Sequence, residues 1–136
     1  MRSINDITDA VIGESLRIHR RIGPGAFESA YEALLCVQLR KRGLTVDRQV
    51  VLPFEYEGTR VEFGYRLDLL VDKRVIVEVK STERPAIVHH RQLLTYLRLS
   101  GLHVGLVINF GMDQLRHGIS RVVNHYDGEK VTPSLP

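Results

Sequence analysis

Two apolar runs joined by three polar residues determine how the middle of this chain can fold. The runs, Tyr65–Val71 and Val75–Lys80, are rich in Leu, Ile and Val, and their closeness predicts an antiparallel β-hairpin. Each run nevertheless carries charge, with Asp68 in the first and Glu78 and Lys80 in the second. Because alternate residues of a strand point to the same face, Glu78 and Lys80 should project together. A buried charge is costly unless it is paired or binds a metal, so these side chains need partners.

The length of the connecting loop decides whether Asp68 can meet Glu78. A two-residue loop, Asp72–Lys73, would set Asp68 opposite Val77 and on the face away from Glu78. A three-residue loop, Asp72–Arg74, or a β-bulge would set Asp68 directly opposite Glu78. A shared site on this hairpin therefore requires an odd loop or a bulge.

Two interpretations of these charges remain open. In the first, Asp68 and Glu78 pair with Lys80 as a structural ion pair. In the second, the acids hold a divalent cation and the group activates a water molecule, which is the chemistry of metal-dependent phosphodiester cleavage.

The rest of the sequence predicts one α/β domain over residues 1–126, followed by a short flexible tail at residues 127–136 that contains Gly and Pro. Apolar periodicity favours two leading helices, and β-branched and aromatic runs favour strands. The expected fold is a mixed sheet flanked by helices, in the order α-α-β-β-β-α-β with a last small helix or strand. The predicted elements are residues 3–22, 26–42, 46–56, 60–71, 75–80, 85–99, 103–110 and 115–124.

Composition narrows the functional classes. The 136 residues carry a net charge of +3, which permits nucleic-acid binding without requiring it. No apolar run approaches the ~20 residues of a membrane helix, and the first residues lack the apolar core of a signal peptide. The single cysteine, Cys36, excludes an internal disulfide. We therefore expect a cytoplasmic protein with no membrane association.

The charged hairpin resembles the motif of the PD-(D/E)XK nuclease superfamily. Asp68 is followed by Glu78-Val79-Lys80 on the next strand, after a leading helical region. Leu67 stands where many members have a proline, and that proline is often missing in the superfamily. The resemblance implies a restriction-endonuclease-like core.

Further motifs extend the resemblance over about residues 4–124. Gly25, Glu28 and Tyr31 have the spacing of the small bacterial GxxExxY proteins, which belong to the same superfamily. The segments Gln92–Leu97 and Gly105–Phe110 look like the later motifs of that family.

The resemblance implies a metal site for Mg²⁺ or Mn²⁺, which prefer oxygen ligands. Asp68 and Glu78 would supply carboxylate oxygens, and Val79 would supply its backbone carbonyl. Glu28 would add a third carboxylate from the second helix, although an acid in a first helical turn is also favoured by the helix dipole.

The resemblance also implies a reaction. Asp68, Glu78, Lys80 and Gln92 would form the catalytic group, in which Lys80 orients or deprotonates the attacking water and Gln92 positions water or phosphate. The expected activity is hydrolysis of nucleic acid, DNA before RNA. The alternative is a nucleic-acid- or protein-binding module that keeps the fold without turnover. The sequence leaves the oligomeric state open, a homodimer included.

Four neighbouring residues carry structural expectations. Tyr31 should be a core aromatic residue with its hydroxyl bonded to a polar group. Tyr96 lies one helical turn after Gln92 and should pack or touch the site. Ser81 and Thr82 should cap the helix that follows them.

Overall fold

The computed structural model describes residues 2–84 and 87–125, and it has the predicted order of elements with a final short strand. The elements are α1 (Ile4–Ile22), α2 (Glu28–Lys41), β1 (Val46–Tyr56), β2 (Thr59–Val71), β3 (Val75–Lys80), α3 (Ile87–Ser100), β4 (Val104–Asn109), a 3₁₀ turn (Leu115–Gly118) and β5 (Ile119–Val123).

The two leading helices begin and end where local chemistry favours it. Ser3 and Asp6 form a capping box at the start of α1, in which each side chain accepts the backbone N–H of the other residue. Gly23 follows α1 with φ +78° and Gly43 follows α2 with φ +87°, backbone conformations that a glycine adopts without steric cost.

The five strands form one mixed sheet in the order β1-β2-β3-β4-β5. Strands β3 and β4 are parallel neighbours and are connected by helix α3. The pairs β1–β2, β2–β3 and β4–β5 are antiparallel. Val71 pairs with Val75, so the hairpin loop has three residues and the register required for Asp68 to meet Glu78 is confirmed.

Apolar side chains cover both faces of the sheet. Helices α1 and α2 pack on one face, where Leu35, Leu39 and Val77 belong to the larger core. Helix α3 packs on the other face, where Leu93 and Leu97 are fully buried. This is the predicted sandwich of helices on a sheet.

The alternation of side chains along β2 changes phase at Asp68. Tyr65 and Leu67 belong to the core under α3, whereas Leu69 and Val71 belong to the core under α1 and α2. Strict alternation would have kept all four on one face. β2 and β3 form three residue pairs next to the hairpin loop, and the pair farthest from the loop joins Leu69 to Val77. The part of β2 that precedes Leu69 is not paired with β3. Asp68 therefore lies at a fork between two diverging strands.

The last described elements refine one prediction and leave another untested. Residues 115–124 were expected to form a helix or a strand, and they form a 3₁₀ turn followed by β5. The predicted tail at residues 127–136 lies outside the described residues. Within residues 2–84 and 87–125, no helix combines the length and apolar character needed to cross a bilayer.

Candidate active site

Asp68 and Glu78 replace the missing backbone pairing at the fork. The backbone N–H of Asp68 donates to Glu78 Oε2 at 2.9 Å, and the backbone N–H of Val79 donates to Asp68 Oδ2 at 2.9 Å. Each bond uses one carboxylate oxygen, so the two acids are held facing each other across the gap between β2 and β3. The structure thus brings together the two acids on which the sequence prediction depends.

The environment of these acids opposes their ionisation. Burial, followed by the charge of Asp68, raises the pKa of Glu78 from 4.5 to about 8. Burial also raises the pKa of Asp68, and the charges of Glu32 and Glu28 add to that effect. The hydrogen bond from Val79 and the charge of Lys80 act in the opposite direction on Asp68 without cancelling the rise. A positive charge at this point would lower the pKa of both acids and favour their ionised forms.

Lys80 does not supply that charge through a direct ion pair. Its Nζ donates to Gln92 Oε1 at 3.5 Å, and none of the ion pairs among residues 2–84 and 87–125 includes it. The structural ion-pair interpretation therefore lacks the contact that it requires. Gln92 instead places the ammonium group at the edge of the site.

Asp68 lines two clefts. The first has a volume of about 350 Å³ and is lined by Glu78, Lys80, Gln92 and Tyr96 as well as by Asp68. The second has a volume of about 250 Å³ and is lined by Glu28, Glu32, Gln49 and Val79 beside Asp68. The predicted catalytic group shares the first cleft, and Glu28 approaches Asp68 from the second.

Glu28 is held by the chain that leaves β3. Its Oε2 accepts the backbone N–H of Ser81 at 3.0 Å, and the Ser81 hydroxyl donates to the carbonyl of Ala26 at 3.2 Å. These bonds tie the start of α2 to the end of β3. They bring the Glu28 charge close enough to raise the pKa of Asp68.

The donor set fits Mg²⁺ or Mn²⁺ through two acids rather than three. In the described parts of the chain, no three Asp, Glu, His or Cys side chains are grouped closely enough to hold an ion. Mg²⁺ is usually bound through one or two carboxylates and keeps several waters, so Asp68 and Glu78 suffice. The Val79 backbone lines the second cleft beside Asp68. Glu28 as a third ligand stays a prediction.

Glu32 is a buried acid whose partners sequence reasoning did not identify. It is 4% exposed and accepts hydrogen bonds from Arg48 Nη2 at 2.9 Å and Gln49 Nε2 at 2.5 Å. Gln49 lies in β1 with φ +50°, an uncommon conformation for a non-glycine residue. Apart from the acid itself in the helical pattern of α2, no local signal marks this link between α2 and β1.

The structural expectations for two tyrosines have clear outcomes. Tyr31 is fully buried, stacks on Phe110 with ring centroids 4.3 Å apart, and hydrogen-bonds through its hydroxyl to Gly23 and Ala26, as predicted. Tyr96 both lines the first cleft and packs on Tyr65.

The expected capping by Ser81 and Thr82 is wrong. The Ser81 hydroxyl donates to the carbonyl of Ala26, which precedes α2, and the Thr82 hydroxyl donates to the carbonyl of Arg84 at 2.7 Å. Glu83 and Arg84, the next residues along the chain, are not helical. The Thr82 N–H donates to Asn109 Oδ1 at 2.9 Å. These two residues therefore fasten the end of β3 to its neighbours instead of starting a helix.

Comparison with known proteins agrees with this geometry. A family model of the PD-(D/E)XK nuclease superfamily matches residues 5–122. Neither a curated protein nor a solved structure matches the chain. The match includes both acids of the fork, Lys80 and Gln92, and the chain belongs to the PD-(D/E)XK nuclease superfamily.

Proposed function

We propose that this protein is a metal-dependent nuclease that hydrolyses phosphodiester bonds of nucleic acid. We expect DNA rather than RNA to be its substrate. The observation that carries the proposal is the pair formed by the partly buried Asp68 and the buried Glu78. The pKa values of both are raised, and Lys80, the lysine of the same cleft, forms no ion pair with them. Two acids that oppose each other's ionisation are stabilised by a divalent cation. The superfamily supports nuclease chemistry in general.

The residues of the site have separable tasks in this proposal. When bound, Mg²⁺ or Mn²⁺ would supply the positive charge that favours deprotonation of water and stabilises the phosphate transition state. Asp68 and Glu78 would hold it with the oxygens that accept no backbone N–H.

Lys80 would place its ammonium group against a phosphate oxygen or the attacking water, where its charge opposes the charge that develops. Gln92 would hold Lys80 in position through the contact that already exists. A narrower assignment to the GxxExxY group rests on Gly25, Glu28 and Tyr31.

The experiment is a cleavage assay with plasmid, linear duplex, single-stranded DNA and RNA, in Mg²⁺, in Mn²⁺ and in EDTA. Lys80→Ala should reduce cleavage about 100-fold or more, because charge stabilisation of this kind typically contributes that much. Lys73→Ala is the matched control, since Lys73 lies in the same hairpin but pairs with Asp47 at 2.9 Å. It should cleave like the wild type.

Two outcomes would contradict the proposal. Cleavage that persists in EDTA, or that proceeds at the wild-type rate in Lys80→Ala, would show that the site is not responsible. Metal-independent binding of nucleic acid with no cleavage of any substrate would favour the non-catalytic binding module.

A further inference from the structure

Phe63 is an exposed aromatic residue at the candidate active site. Its side chain is 85% exposed, and it lines the first cleft together with Asp68, Glu78 and Lys80. A solvent-exposed phenyl ring loses the hydrophobic stabilisation that burial would give. Its position beside charged catalytic candidates therefore calls for a ligand with an apolar face.

The local fold accounts for this exposure. Leu52 pairs with Tyr65 but Phe54 pairs with Val61, so three residues of β2 oppose the single residue Pro53 of β1. A bulge of this kind changes the direction of the side chains that it contains. The bulge ends at Gly64, where any β-carbon would overlap the ring of Phe54. The Phe54 ring thus occupies the space above Gly64, and Phe63 projects into the cleft.

Two cationic side chains that could contact a phosphate group line the same cleft. Arg66 lines it beside Lys80, and neither residue takes part in an ion pair among residues 2–84 and 87–125. Val51, which is 46% exposed, adds apolar surface near Phe63. The cleft volume of about 350 Å³ lies at the low end of the range for small-molecule pockets, roughly 300–1,000 Å³.

We infer that this cleft takes a nucleic-acid strand with an unpaired base, which stacks on Phe63 while the adjoining phosphate lies between Arg66 and Lys80. The inference rests on the proposed function, since it names the substrate class of the same site. Aromatic side chains beside cationic grooves are the usual means of holding single strands, because every base offers a flat apolar face. In a duplex that face is covered by the neighbouring base pair, and Phe63 would have no partner.

The chain contains no tryptophan, so Phe63→Trp creates a single fluorescent probe at this position. The single-stranded ligands are oligothymidylate and oligouridylate of about 12 nucleotides, a length within the usual site sizes for single strands. A blunt duplex and an abasic strand of the same length complete the set. Binding is followed by quenching in Ca²⁺, which takes oxygen ligands as Mg²⁺ does. Tyr56→Trp is the matched control. Tyr56 is an exposed aromatic residue of the hairpin formed by β1 and β2, to which Phe63 also belongs, and it lines neither cleft.

Both single strands should quench Phe63→Trp, and the duplex should not. The abasic strand should bind about 5- to 140-fold more weakly, the range expected for the loss of base–aromatic stacking. Tyr56→Trp should not be quenched. The relative affinities of the two single strands identify the sugar that the cleft prefers.

Three results would overturn the inference. In the first, the duplex or the abasic strand quenches the tryptophan fluorescence of the Phe63→Trp variant as strongly as the oligonucleotides with bases do. In the second, none of the nucleic acids quenches it. Fluorescence could also change with protein concentration alone, which would assign Phe63 to self-association. None of these results depends on cleavage, so they are distinguishable from failure of the nuclease proposal. Quenching without cleavage would support the base-binding cleft and refute the nuclease, whereas cleavage without quenching would do the reverse.

Discussion

Without divalent metal, the protein should lose stability as the pH rises from about 5 towards 8, and Glu78 should cause most of that loss. Glu78 is 3% exposed, and its pKa is raised from 4.5 to about 8, first by burial and then by the charge of Asp68. Over this interval the folded protein keeps the Glu78 proton while the unfolded chain releases it. Because the folded state then binds more protons, the free energy of unfolding decreases with increasing pH.

The magnitude follows from the size of the pKa shift. Each pH unit within the interval costs about 1.4 kcal/mol. From about pH 5 to about pH 7.5 the free energy of unfolding should therefore fall by about 3 kcal/mol, with the full effect present below the unfolded-state pKa and lost by the folded-state pKa. For a chain of this length that is a decrease of roughly 10 °C in melting temperature.

The assay is a series of thermal melts of the wild type and of Glu78→Gln in EDTA. Glutamine keeps an acceptor for the Asp68 N–H but cannot ionise, so its melting temperature should change little over the same pH interval. Millimolar Mg²⁺ should flatten the wild-type profile, because cations and protons compete for the same oxygens. Parallel profiles for the two proteins in EDTA would refute the assignment of a raised pKa to Glu78.

Further predictions concern the site and its surroundings. Lys80→Ala should reduce turnover about 100-fold or more but keep the Mg²⁺-dependent rise in melting temperature, because an ammonium group is not a metal ligand; calorimetric titration with Mn²⁺ checks the second point. Asp68→Asn should raise the metal-free melting temperature, because burial and nearby acids disfavour its charge, and it should remove the Mg²⁺-dependent rise; destabilisation in EDTA would instead favour the ion-pair interpretation. Gly111→Ala should cost about 3 kcal/mol in urea unfolding, because its β-carbon would overlap the backbone of Thr82, whereas Gly25→Ala, which meets nothing within 4 Å, should be nearly neutral.

Local patterns were sufficient to predict the sheet and its central hairpin. β1 and β3 begin and end where the β-branched and aromatic runs begin and end. Pro53 is accommodated in β1 because that strand lies at the edge of the sheet. The sequence left three options open for this hairpin, namely a two-residue loop, a three-residue loop or a β-bulge, and the pairing of Val71 with Val75 shows the three-residue loop.

The features that sequence reasoning missed all depend on distant contacts. Glu32 is buried and accepts hydrogen bonds from two residues of β1, and the helical periodicity of α2 does not indicate partners so far along the chain. The exposure of Phe63 depends on a bulge whose register is visible only when β1 and β2 are paired. The change of phase at Asp68 is of the same kind, since strand patterns assume unbroken alternation. Functional positions are where such local rules are expected to fail.

The fork gives Asp68 and Glu78 a structural role in addition to the metal-binding role that we propose for them. If β2 and β3 separated without these acids, the partly buried N–H groups of Asp68 and Val79 would lack the acceptors that they now have, at a cost of up to about 1–3 kcal/mol each. Alanine at either acidic position would therefore confuse loss of fold with loss of metal binding. Asparagine and glutamine keep the acceptor oxygen and remove only the charge, so these amide variants are the ones that separate the two contributions.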